Sequence, residues 1–115
     1  MVEVHEVTAD LKFSIIPDWV VDSDLSHKAV RVYAVLARYA DNETLAAWPA
    51  RATIAAKARS TVKSVDRAIA ELIKAGAVSK ELRRDESGQH SNLYTLRRVE
   101  GGTKKTLGGD KNDIG

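Results

Sequence analysis

Residues 60–76 read STVKSVDRAIAELIKAG, and this stretch decides the fold. Val65, Ala68, Ile69 and Leu72 recur at helical spacing and form an apolar stripe able to face a core. Thr61 stands ahead of them as an N-cap, and Gly76 follows as a helix-ending glycine. Around the stripe, Thr61, Lys63, Ser64 and Arg67 crowd the first two turns with cations and hydroxyls. Packing alone does not call for that start, so the question is what it meets.

Just upstream, residues 50–58 suit a short helix with Ile54, Ala55 and Ala58 available for packing, followed by a break near 57–60. Further back, residues 26–40 show Ala29, Val32, Tyr33, Leu36 and Ala40 on one face. Ser26 is the N-cap there, with Leu25 and Val30 spaced for a hydrophobic staple. "DNET" closes this helix with turn chemistry, and "LAAWPA" reads as a short extended link in which Pro49 restricts Trp48. Downstream, residues 77–84 and 92–99 read as two strands, joined by "DESGQHS" as a hairpin loop.

The ends carry less pattern. Leu11, Phe13 and Ile15 alternate as one half-buried strand ending at Pro17, and "DWVVDSD" reads as irregular chain. Residues 100–115 are glycine-rich with few large apolar side chains and read as a disordered tail. The organisation is thus an N-terminal extension over 1–24, one domain over 25–99 and a tail over 100–115.

Composition narrows the function. The 115 residues include no cysteine, which excludes disulfides and thiolate metal sites. No apolar run approaches the roughly 18 residues of a membrane span, and the acidic N-terminus has no secretory pattern. The net charge of +2 conceals an asymmetry: residues 1–50 carry four Lys and Arg against eight Asp and Glu, and residues 51–98 carry eleven against five. A segregated positive half points to a polyanion partner, although a solvated surface explains the same charges.

Two helices joined by a tight turn, the second cationic at its start, make a helix-turn-helix pattern. The hairpin after it makes the winged form. The expected class is mainly α with a small β-hairpin (α+β): three helices plus a two- to three-stranded wing. Such a motif seats its second helix in the DNA major groove.

The chain also resembles the winged helix-turn-helix domains of plasmid and phage replication initiators and phage regulators. The resemblance rests on "FSIIPDWV" (13–20), "LSHKAVRVYAVLARYAD" (25–41), "AWP" (47–49), "TIA" (53–55), "SVDRAIAELIKAG" (64–76) and "SNLYTL" (91–96). It implies a mobile-element regulator or replication-associated protein, cytoplasmic and nucleoid-associated in a bacterial or phage-infected cell. The chain departs from the family pattern at Ala50, where a capping Ser is usual, and at Arg59, where a turn Gly is usual.

Lys63, Ser64 and Arg67 are the candidate base readers, since Arg pairs with guanine O6 and N7 while Lys and Ser reach bases or phosphates. A solvated helix face is the competing reading, and the motif context favours DNA. Thr61 is explained by capping, with a phosphate contact as an addition. Asp66 either accepts from cytosine N4 or turns away from DNA. Arg51, Lys57 and Arg59 are backbone candidates. Arg83, Arg84 and His90 flank the hairpin loop, as phosphate or minor-groove contacts or as a plain solvated hairpin. Trp48, Tyr33, Tyr94 and Leu96 are assigned to the core, and Lys104 and Lys105 to a solvated tail.

His5, His27 and His90 share no ligand spacing, and no phosphate loop, nucleophile elbow or carboxylate pair appears. The expectation is a non-enzymatic protein without metal, cofactor or small-molecule substrate. Its expected partner is double-stranded DNA, bound in a sequence-specific way. The alternative is a protein-interaction module on the same scaffold. A homodimer through the N-terminal strand would predict palindromic half-sites ~34 Å or a multiple apart.

Overall fold

The computed structural model describes residues 13–84 and 90–100. In chain order these form α1 (Asp18–Asp22), α2 (His27–Tyr39), β1 (Ala46–Ala47), α3 (Arg51–Ala58), α4 (Val62–Lys74), β2 (Val78–Arg84) and β3 (His90–Leu96). The three longer helices pack on one another, and the antiparallel sheet, in the order β1-β3-β2, lies beside them. The hairpin register runs from Val78 opposite Leu96 to Arg84 opposite His90. The core joins Val32, Tyr33 and Leu36 of α2, Ile54 of α3, Val65, Ile69 and Leu72 of α4, and Val78, Tyr94 and Leu96 of the hairpin.

Local signals place most helix ends. Ser26 caps α2 by accepting from the Ala29 amide at 3.1 Å, and Thr61 caps α4 by accepting from the Ser64 amide at 3.1 Å. Leu25 and Val30 both pack on the core, as a staple requires. Gly76, at φ 79°, ends α4 in a Schellman turn, with the Ala77 amide on the Leu72 carbonyl and the Gly76 amide on the Ile73 carbonyl.

The turn between α3 and α4 closes by the same pair of bonds, Ser60 to Ala55 at 2.9 Å and Arg59 to Ala56 at 3.3 Å. Its left-handed residue is Arg59, at φ 56° and ψ 53°, in a region glycine occupies at no steric cost. At the other end of α3, Ala50 stands as an N-cap with no side-chain bond. Arg59→Gly and Ala50→Ser are each expected to raise unfolding stability by about 1 kcal/mol, read by urea denaturation.

Four expectations change. "DWVVD" is a helix, because Pro17 offers its carbonyl to the Val20 amide at 3.0 Å and Val20 is fully buried. Over residues 13–17 the expected strand is irregular chain: the sheet's order leaves these residues unpaired, and Phe13 and Ile15 are exposed. Leu11 lies outside the described residues. The link "LAAWPA" supplies a third strand, with Ala46 and Ala47 paired to Thr95 and Tyr94. The second hairpin strand begins at His90 and ends at Leu96: the Arg97 amide still bonds the Ala77 carbonyl at 2.9 Å, but the Ala77 amide is taken by the Leu72 carbonyl, so the ladder stops there.

Beyond that strand the chain is tied to the helices. The Tyr33 hydroxyl donates to the Arg97 carbonyl and the Trp19 indole N–H to the Arg98 carbonyl, both at 3.0 Å. Residues 85–89 of the loop and 101–115 of the tail, Lys104 and Lys105 included, lie outside the described residues.

Candidate nucleic-acid interface

Helix starts normally favour acids, because the helix macrodipole puts partial positive charge there. α1 follows that rule with Asp18. α2, α3 and α4 have no acid in their first turns and instead carry Lys28, Arg51 and Lys63 there. Each such cation forgoes about 0.3–1 kcal/mol of dipole stabilisation. These starts adjoin one another: Ser26 and Lys28 share a groove of about 240 Å³ with Ser64, Arg67 and Glu71 of α4. Arg51 and Val62 share a second groove of about 540 Å³ on the side of the wing.

The exposed ridge of α4 follows from its 3.6-residue period. Val65, Ala68, Ile69 and Leu72 are buried, which leaves Lys63 and Arg67 outward and one turn apart. Ser64 is half-buried beside Arg67 in the first groove. Asp66 rotates toward the wing side and pairs with Arg51 Nε at 3.2 Å, both side chains half exposed. An exposed pair of this kind contributes little stability. It ties the start of α3 to the flank of α4.

Glu71 supplies what the start of α2 lacks. Its carboxylate accepts from the Ser26 amide at 2.8 Å and from the Ser26 hydroxyl at 2.7 Å. These two bonds, the amide first, hold its carboxyl below the ordinary value. The bonded form is the ionised one, so its contribution is present above the unfolded-state pKa and fades as pH falls through the lowered folded value. Glu71→Ala is expected to cost about 1 kcal/mol at pH 7 and progressively less below about pH 4, measured by urea denaturation across that range.

The other candidates scatter more. Thr61 acts as the α4 cap, immediately beside Lys63. Lys57 is exposed in the last turn of α3, where a cation suits the dipole, and Arg59 is exposed in the turn. Arg83 is exposed on β2 with its guanidinium 5.6 Å from the centre of the Trp48 ring. The Arg84 and His90 backbones form the last rung of the hairpin, while their side chains lie outside the described residues.

Three expectations about core residues hold, since Tyr33, Tyr94 and Leu96 are buried. Trp48 does not belong with them: it follows the two-residue strand β1 and is 56% exposed. Lys28 was not singled out from sequence, although a cation two residues past a Ser N-cap was the available signal. Among the described residues, no group of three or more His, Asp or Glu side chains is placed to hold a metal ion. Nor is any described helix long and apolar enough to cross a membrane.

Residues 23–78, from the end of α1 to the first residue of β2, match the family model described as a helix-turn-helix domain. No curated protein matches the chain. Among solved structures, the chain is similar to one described as a "possible transcriptional regulator" from Methanosarcina mazei, at 14% identity and a TM-score of 0.50. The alignment covers 64% of this chain and 57% of that one. The fold is a winged helix-turn-helix, with α3 and α4 as its motif helices and β2–β3 as its wing, and over residues 23–78 the sequence is similar to the helix-turn-helix domain family.

Proposed function

We propose that the protein binds double-stranded DNA in a sequence-specific way and acts as a transcription regulator. In this reading α4 enters the major groove, and Lys63, Ser64 and Arg67 read base edges. Lys28, Arg51, Lys57, Arg59 and the wing cation Arg83 hold phosphates, and Thr61 fixes the reading helix. The observation that carries it is the gathering of three cation-bearing helix starts around the first turns of α4, a placement that the dipole disfavours and that Glu71 offsets at α2. A polyanion meeting all three starts repays that cost. The motifs from Phe13 to Leu96 support a mobile-element setting, as a phage or plasmid regulator or a replication-associated protein.

The test is selection of bound sites from a random duplex library, followed by affinity measurement across salt concentrations. A single motif is expected, with a slope of log affinity against log salt of about −5 to −6, for about five to seven phosphates neutralised. Absence of both a motif and a salt slope overturns the proposal. Arg59→Gly, expected above to stabilise the fold, should make that slope shallower by about one.

The protein-interaction reading has its own support in the exposed Phe13 and Ile15 of the N-terminal segment, although Val20, expected beside them, is buried and Val21 is exposed in its place. A second copy docking there would give a palindromic selected site. A lone half-site speaks against a dimer on DNA.

A further inference from the structure

We infer that the groove between the start of α4 and the wing seats the sugar-phosphate backbone of a DNA strand, and that Trp48 is the positioning residue that holds Arg83 ready for it. The inference rests on the DNA-binding reading above and adds a role for Trp48, whose place in the sequence suggests core. Trp48 is 56% exposed and Leu82 64% exposed, and both line this one groove. Single exposed apolar side chains are ordinary, whereas two together in a groove mark a surface that receives something.

The chemistry around them selects the occupant. Arg51 and Asn92 line the groove, Arg83 stands over the Trp48 ring, and none of the described lining residues is acidic. Val62, the first residue of α4, forms part of the wall, so the groove lies at the start of the helix that carries Lys63 and Arg67. A strand leaving the major groove along that line meets apolar faces that fit deoxyribose and guanidinium groups that fit phosphate.

Arg83 is a long side chain that would lose rotamer freedom on binding. With its guanidinium 5.6 Å from the indole centre, a cation–π contact removes part of that freedom beforehand. Trp48 therefore acts through Arg83, and Phe at position 48 preserves an aromatic face while Leu does not.

The experiment uses the full chain and a duplex carrying the selected site, with Trp48→Leu, Trp48→Phe, Arg83→Ala and Trp48→Leu/Arg83→Ala. Trp48→Leu should weaken binding about 3–10-fold, as should Arg83→Ala, and Arg83→Ala should also make the salt slope shallower by about one. Trp48→Phe should stay within about 2-fold of the parent, and Trp48→Leu should add less than about 2-fold once Arg83 is gone. Unchanged affinity for Trp48→Leu overturns the inference. So do losses from Trp48→Leu and Arg83→Ala that multiply independently. Lys63→Ala and Arg67→Ala in the same assay separate the levels. If those two weaken binding and the Trp48 and Arg83 variants do not, only the groove assignment fails. If none of the four changes binding, the DNA reading fails with it.

Discussion

Leu72→Ala is expected to lower the unfolding free energy by about 3 kcal/mol. Leu72 is fully buried on α4, within the cluster that joins α2, α3 and the hairpin. Truncation loses the transfer free energy of the removed carbons and leaves a cavity that neighbours on other elements close only in part. A domain of this size has about 4–12 kcal/mol of stability in total, so the change takes a large share of it. In thermal melts the midpoint should fall by about 12–24 °C. In urea the midpoint should drop with the m-value unchanged, because the surface exposed on unfolding is nearly the same. A loss under about 1 kcal/mol would mean that α4 is not seated as the structure has it.

Lys63→Glu/Arg67→Glu is expected to abolish most DNA affinity, on the order of 100-fold or more, and leave the fold intact. Arg67→Ala alone should cost about 1–3 kcal/mol of binding and relax one position of the selected site. Reversal adds repulsion from the phosphates. Stability should move the other way at the first of these positions. Lys63 is the second residue of α4, where a carboxylate interacts favourably with the dipole, so the Lys63→Glu component should add about 0.3–1 kcal/mol. Affinity by fluorescence anisotropy and stability by urea denaturation, on the same preparation, make the comparison. A reversed ridge that still binds the selected duplex would remove α4 from the role of reader.

The opposed signs at Lys63 describe the chain more widely. Arg59 holds a left-handed backbone that glycine would adopt freely, and Ala50 leaves a helix start uncapped. Lys28 and Arg51 stand where acids would be more stabilising. Binding sites are where local preference is most often sacrificed, and these departures gather at the helix starts and the turn around α4.

Sequence alone determined the caps at Ser26 and Thr61, the stripes of α2 and α4, the glycine end of α4 and the hairpin. All of these depend on residues within a turn of one another or on a two-strand alternation, so near-neighbour spacing carries the information. The placement of Lys63, Ser64 and Arg67 on or beside the outer ridge of α4 follows from the same period. Only the tertiary structure decided where the remaining groups stand. Glu71 reaches Ser26 across 45 positions, Asp66 turns to Arg51 instead of outward, and Ala46–Ala47 becomes a strand only because β3 offers its edge. Trp48 looks like core in the chain, yet it is exposed, because burial depends on which segments pack alongside β1. Burial and pairing depend on what another segment brings alongside, and no residue's own neighbours in sequence contain that information.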